Sequence, residues 1–489
     1  MKNLKVILSL AICLAMVLSF TACSGETTTS SEEWEEWEEV VSADATTNSD
    51  GASNSDETSN DSQGVSASTS DAFINSLKGL EVNIYTYRSE RPTRGTASGD
   101  RYFAILSKVA KKYGCTINYK TEGMEGLQSS ILSGKPLANV ISIQDYNFMS
   151  WLNSGVAADL TKAMSDTGIT LKEKHYNSEI TNLFNLNGKQ YAFSSDIYEP
   201  FMLLYNKRLI QEAGITDPIT LYEQGNWNFA KLEEYLKKLR TTSADGTEIV
   251  AGLKSTAMDP IAEYIVTSNG GSFVKLENGK IKSNLNDSKV KEALGYLSKW
   301  SNESLISGAG SNWKDGMKDF AAAKASMVLI TKYGLDVLGE YNMKDAVGMV
   351  PFPYGPSATD KKGTTYMQFF PTIIPKSEEK NASKILFVMN EVYKECYAVR
   401  EDDFYDNYRA LIRDNASYNI FKSYSLGEKA PKMSYSYIAG ILWGDYTGLS
   451  SLIRKVSGGT AVETAINSYS DSITTGLNDQ WAKWSVTGK

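Results

Sequence analysis

His175 is the only histidine in 489 residues, so no His₂ or His₃ metal site can be assembled from this chain alone. Any Ser-His-Asp or Cys-His mechanism would have to pass through that one position. The cysteines, Cys13, Cys23, Cys115 and Cys396, are too few and too scattered for a disulfide-dense scaffold or paired zinc knuckles. No GxxxxGK[ST] phosphate loop or GxSxG nucleophile elbow occurs. Carboxylates and flat rings are plentiful instead: 58 Asp and Glu, nine Trp and 28 Tyr. Flat rings offer stacking surface and carboxylates offer hydrogen-bond acceptors, the groups from which a small-molecule site is built. Two carboxylates would also suffice for glycoside hydrolysis, although no motif singles out a pair. The composition favours binding or carboxylate chemistry, with no metal and no cofactor expected. His175, within Lys174-His175-Tyr176-Asn177, reads as an exposed loop residue.

The elements that would position such groups follow an alternating α/β pattern. Leu80 to Tyr85 alternates like a strand, and Arg101 to Tyr113 carries apolar residues at helical spacing up to Gly114. Thr116–Tyr119 is a second strand, Glu125–Leu132 a short helix stopped by Gly134 and Pro136, and Val140–Ile143 a buried strand followed by a helix over Asp145–Asn153. Strand and helix in alternation predict a doubly wound sheet, which binds ligands beyond the carboxyl ends of its strands. Those ends offer Tyr87 and Arg88, then Glu122 and Met124, then Gln144 and Asp145. Further on, aromatics fall in loops or at helix starts: Trp227, Trp313, Tyr333, Tyr354 and Trp443.

Ahead of this body, Lys2 and Lys5 precede an apolar run from Val6 to Phe20, too short for a membrane span and followed by small residues, the pattern of a secretory signal. Leu18-Ser19-Phe20-Thr21-Ala22-Cys23 resembles the bacterial lipoprotein box, in which the cysteine is acylated; a diacylglyceryl group supplies the two chains that stable anchoring needs. Residues 1–22 are then the signal, and 23–77 the lipidated Cys23 with an acidic, Ser/Thr-rich tether expected to be disordered. A coil of that length spans on the order of 40 Å. Within it, Trp34 and Trp37 sit in an acidic run, and residues 46–57 partly match a calcium loop, most simply by coincidence. The formal charge of −8 belongs to this tether, since residues 24–77 hold thirteen acids and no Lys or Arg, and the remaining body has 48 basic against 45 acidic residues. Neither part gives an electrostatic reason to expect nucleic acid. Cys115 and Cys396 remain after processing, as two buried free thiols or as a disulfide.

Several stretches carry a resemblance. Leu132-Ser133-Gly134-Lys135-Pro136-Leu137-Ala138-Asn139-Val140-Ile141, the run Trp151 to Thr161, Asn187 to Phe193, Leu203 to Ile215, Gly225 to Phe229 and Phe320 to Met327 together resemble, in order, motifs of the family 1 extracellular solute-binding proteins of bacterial ABC importers, sugar-binding type. The resemblance implies an α/β, two-lobed periplasmic-binding-protein-like fold (type II), each lobe a doubly wound sheet, with an interlobe ligand cleft. It places the first lobe at 78–200 plus 371–425 and the second at 201–370 plus 426–489, with hinges near Glu199-Pro200 and Gln368-Phe369. The cleft would draw on Tyr87, Arg88, Glu122, Gln144, Asp145, Trp227, Asn269, Gly270, Trp313, Tyr333, Tyr354 and Trp443. It also implies a lipid-anchored monomer at the outer face of the cell membrane, handing a small solute, an oligosaccharide first, to ABC permease subunits without making or breaking a bond. A secreted carbohydrate-active enzyme and a ligand-presenting sensor component are the competing readings.

Overall fold

The computed structural model describes residues 40–41, 70–86, 92–120, 124–196, 198–308, 310, 312–429, 432–439 and 448–488. Its three principal sheets use, in chain order, β1 (Val40–Val41), β2 (Glu81–Tyr85), β3 (Thr116–Lys120), β4 (Val140–Ser142), β5 (Glu199–Pro200), β6 (Met202–Asn206), β7 (Glu248–Ser255), β8 (Ile306–Ser307), β9 (Ala325–Ile330), β10 (Val347–Val350), β11 (Tyr366–Gln368), β12 (Thr372–Ile373) and β13 (Lys432–Met433). The helices that matter below are α1 (Ala97–Tyr113), α2 (Asp145–Asn153), α3 (Phe229–Leu239), α4 (Met258–Ser268), α5 (Lys332–Glu340), α6 (Ala382–Tyr408) and α7 (Asn415–Ser425).

Each lobe is built on one mixed sheet. In the first, the order is β1-β3-β2-β4-β12, with β2 parallel to β3 and β4. Two antiparallel strands flank this parallel centre: β12, returning from late in the chain, and β1. The second sheet runs β8-β7-β9-β6-β10, with β6 antiparallel to both neighbours. Its central strands β6 and β9 are buried along their whole length, which is why Met202–Leu204 and Met327–Ile330 read as continuous apolar runs. Between the lobes, a small sheet of order β13-β11-β5 gathers two crossings of the chain, at 199–200 and 366–368, and adds the strand at 432–433 to them.

Several expectations need correction. The body begins before residue 78: Ser70 caps a helix over Asp71–Asn75, Phe73 meets Phe387 edge-on at 5.4 Å, and Leu77 is fully buried. Residues Asn415–Ser425, assigned above to the first lobe, pack on the second, where the Ser417 hydroxyl accepts the Met349 N–H at 2.9 Å and Asp414 pairs with Lys207 at 3.0 Å. Periodicity gives a helix its buried face but not the sheet it covers. His175 is buried, 2.8 Å from the Asn390 side chain through Nε2, and burial lowers its pKa. Cys115 and Cys396 are both free thiols, Cys115 pushed up to about 11 by burial and Cys396 raised for the same reason. Cys23, the Trp34/Trp37 run and the calcium-like stretch lie outside the described residues.

Candidate functional site

The carboxyl ends of β2 and β4, the start of α1, the second half of α6 and the whole of α5 converge on a cavity of about 820 Å³ between the lobes. Each wall has a local cause. Thr96 caps α1 by accepting the Gly99 N–H at 3.1 Å, and its hydroxyl donates to the Thr93 carbonyl at 2.7 Å. A Cβ on Gly99 would lie 1.9 Å from that same carbonyl oxygen, so only glycine lets the Thr93 loop fold back over the helix start at the cavity wall. On the opposite wall α5 leaves the end of β9 under a Thr331 cap and presents Lys332, Leu335, Asp336 and Gly339 to the cavity. Helix α6 returns from far along the sequence to add Tyr393, Arg400, Asp403, Phe404 and Tyr408.

The electrostatics are concentrated where the chain crosses. Glu199 of β5 is 2 % exposed and pairs with Lys332 at 3.0 Å, joining a crossing strand to the second lobe. Asp196, just before β5, lies 3.5 Å from Arg400, and burial pushes its carboxyl up to about 6 despite that cation. Asp403 pairs with Arg101 of α1. Asp336 is open to the water of the cavity yet enclosed by protein. That enclosure pushes its carboxyl up to about 7, with Glu199 and Glu340 adding to the shift and Lys332 opposing it. Two further acids border the crossing sheet. Asp145, at the start of α2, accepts from the Phe369 N–H at 3.4 Å and the Tyr146 N–H at 2.8 Å, and complete burial pushes it up to about 8. Glu263 of α4 takes the Ser434 hydroxyl next to β13 and is pushed up to about 7 by burial.

The residues expected to line the cleft are distributed otherwise. Tyr87, Arg88, Glu122 and Trp443 lie outside the described residues. Gln144 and Asp145 are buried beside the crossing and do not line the cavity. Trp227 is a core residue of the second lobe: it is 1 % exposed, packs edge-on against Tyr235, and donates its indole N–H to the Pro351 carbonyl at 3.2 Å. Asn269 is fully buried and ties three segments together through the Lys289 carbonyl, the Glu292 carboxylate and the Ser357 N–H. Gly270, at φ 79°, makes the turn beside it. Tyr354 donates to the Gly225 carbonyl at 3.0 Å, and Trp313 is half-buried against the second-lobe core. Tyr333 is the second residue of α5, in a turn whose Lys332 and Asp336 face the cavity. Glu199 stands at an expected hinge and Lys332 beside an expected aromatic, so the region is legible in sequence although these two residues are not. Arg400, Asp403 and Tyr408 carry no local signal, since only the packing of α6 brings them here. Among the described residues, no cluster of three or more His, Cys, Asp or Glu could hold a metal ion.

Two lobes joined by crossing strands around a cavity of this size define a protein that takes a small solute between its domains. The chain belongs to the bacterial extracellular solute-binding protein family, whose model matches residues 96–383, more than half its length. The fold is that of several solved structures. One is the Listeria monocytogenes ABC substrate-binding protein Lmo0181 in complex with cycloalternan (TM-score 0.58, 18 % identity, 83 % of this chain and 100 % of that one). Another is the cyclic α-maltosyl-1,6-maltose binding protein of Arthrobacter globiformis (0.58, 14 %, 82 % and 100 %). A third is UgpB of Mycobacterium tuberculosis in complex with glycerophosphocholine (0.59, 14 %, 82 % and 99 %). No curated protein sequence matches the chain.

Proposed function

We propose that this protein is lipid-anchored through Cys23 at the outer face of a bacterial cell membrane, captures an oligosaccharide between its lobes and delivers it to an ABC permease without chemical turnover. The observation that carries the reading is the interlobe cavity of about 820 Å³, within the range of small-molecule sites, lined by both lobes with tyrosines and hydrogen-bonding groups. Tyr85, Tyr102 and Tyr393 supply ring surface, and Thr86, Ser195, Asp336 and Asn407 supply acceptors and donors of the kind hydroxyls need. Several fold neighbours were solved with oligosaccharides, including cycloalternan and maltotetraose, which supports the ligand class. No helix among the described residues is long and apolar enough to cross a membrane.

A thermal-shift screen against linear and cyclic gluco- and manno-oligosaccharides tests the ligand class. A true ligand at a hundred times its Kd raises stability by about 2.7 kcal/mol. Response to a peptide or polyol but to no sugar would replace the ligand class. Hydrolysis of a bound sugar, abolished by one Asp or Glu substitution, would move the protein to the enzymes. Mass spectrometry of the membrane fraction from cells expressing the wild type or Cys23→Ala tests the anchor, which predicts a diacylglyceryl adduct in the first and release in the second.

A further inference from the structure

The charged groups on the cavity wall fall into pairs with a remainder. Asp196 faces Arg400, Asp403 is held by Arg101, and Lys332 is taken by Glu199. Asp336 is left over: it makes no hydrogen bond and no ion pair with any described residue, and its carboxyl opens into the cavity. The titratable groups that face it are Lys332 and Glu340 on its own helix, Glu199 from β5 and the Tyr408 phenol from α6. The nearest cation is therefore already engaged, and two of these neighbours are carboxylates. Arg413, also unpaired among the described residues, lines the same cavity as an exposed side chain beyond the end of α6.

We propose that Asp336 is a specificity-determining residue of this cavity, receiving the hydrogen-bond donors of a neutral or cationic hydroxylated solute and turning away anionic ones such as uronates and sugar phosphates. The inference rests on the oligosaccharide reading above and narrows its substrate class. A carboxylate beside a second carboxylate, with its cation committed elsewhere, lacks donors, and sugar hydroxyls or an ammonium supply them. An acid solute brought to the same spot adds a third negative charge beside Asp336 and Glu199, in a cleft whose protein walls weaken solvent screening. The raised affinity of Asp336 for its proton has the same origin, burial first and Glu199 next among the groups that raise it.

The test is calorimetric titration of the full chain at pH 8. It uses the neutral trisaccharide that gives the largest thermal shift among maltotriose, mannotriose and cellotriose, with trigalacturonate and 6-amino-6-deoxymaltotriose, whose primary amine is protonated at that pH, as charged counterparts. The wild type should bind the neutral or the cationic probe at least a hundredfold more tightly than trigalacturonate. Asp336→Asn should weaken the preferred probe at least tenfold and narrow the gap to trigalacturonate, and Asp336→Glu should recover part of both. Thermal midpoints of the two variants report whether either fails to fold; if the Asn variant does, the Glu variant and the wild-type selectivity carry the test. Trigalacturonate binding as tightly as the neutral probe, and losing that binding in Arg413→Ala, would overturn the proposal in favour of an anion site. A neutral ligand held equally by wild type and Asp336→Asn would remove Asp336 from recognition while leaving the oligosaccharide reading intact. No response to any sugar, neutral or charged, would sink both.

Discussion

Charged side chains inside the two lobes and those between them are arranged on opposite principles. On the lobes, Glu233 of α3 takes Lys237, Lys299 and the Trp300 indole together, and these donors hold it down at about 2 against the burial that raises it. Arg208 is likewise shared between Asp345 and Glu212 near the surface. Between the lobes the balance reverses. Asp145, Asp196, Glu263 and Asp336, four acids pushed well up by burial, all border a crossing strand or the cavity. Enclosure by protein outweighs their partners there, with Asp145 and Glu263 fully buried beside the crossing sheet and Asp196 and Asp336 enclosed at the cavity wall.

The sharpest way to break this contrast is to remove one cation from each setting. Lys332→Met leaves Glu199 buried without its ammonium and should destabilise by about 3–5 kcal/mol, the cost of breaking a buried pair. Lys299→Met leaves Glu233 its other two donors at a half-exposed site and should cost about 1 kcal/mol or less. Urea midpoints measure both. Equal losses would mean that the interlobe pair is energetically an ordinary surface bridge. A fully rescued Glu199→Gln/Lys332→Met double variant would show that the single loss came from an orphaned charge rather than from packing.

A smaller effect follows from the four raised acids. Their folded pKa values lie above those of the unfolded chain, so the folded protein keeps protons that the unfolded one releases. Stability therefore rises as pH falls through the window that these values set, from about 8 for Asp145 down through about 7 for Glu263 and Asp336. His175 works the other way: its pKa is lowered by burial, so the unfolded chain takes a proton near 6.5 that the folded site refuses. Between pH 8.5 and 6.5 the acids outweigh the histidine, and the unfolding free energy should climb by about 1–3 kcal/mol, since each tenfold difference in proton affinity is worth ~1.4 kcal/mol. A flat or falling profile would place these carboxyls in wetter surroundings than the fold gives them. Asp145→Asn should remove the upper part of the slope.

What is legible in the sequence divides along the same line. Strands whose two faces are both buried, such as β4, β6 and β9, announce themselves as mostly apolar runs, interrupted only at positions such as Ser142 and Ser326. Side-chain destinations are much less legible. Trp227 and Asn269 have the residue types of a sugar site but are spent inside the second lobe, because an aromatic at a helix start packs inward as readily as it faces a ligand. The groups that do line the cavity from α6 lie more than fifty residues from the lining positions of α5, and only tertiary packing unites them. His175 reads as exposed for a related reason: its partner Asn390 is 215 positions away.

The smallest expected effect separates a local signal that works from one that does not. Asn228 and Thr460 both look like helix starts. Asn228 is one: its side chain accepts the Lys231 N–H at 3.1 Å and opens α3. Thr460 and Glu463 have capping-box spacing, yet the helix over Val462–Trp481 begins with Ala461 in the cap position and makes no side-chain cap bond. Asn228→Ala should cost about 1 kcal/mol through the lost cap, whereas Thr460→Ala should change stability by less than about 0.5 kcal/mol. Both sites lie away from the crossing strands, so neither substitution should alter the pH slope or ligand affinity. If Asn228→Ala changed either one, the second lobe would be coupled to the hinge through α3, and the contrast between lobe and crossing would lose its boundary.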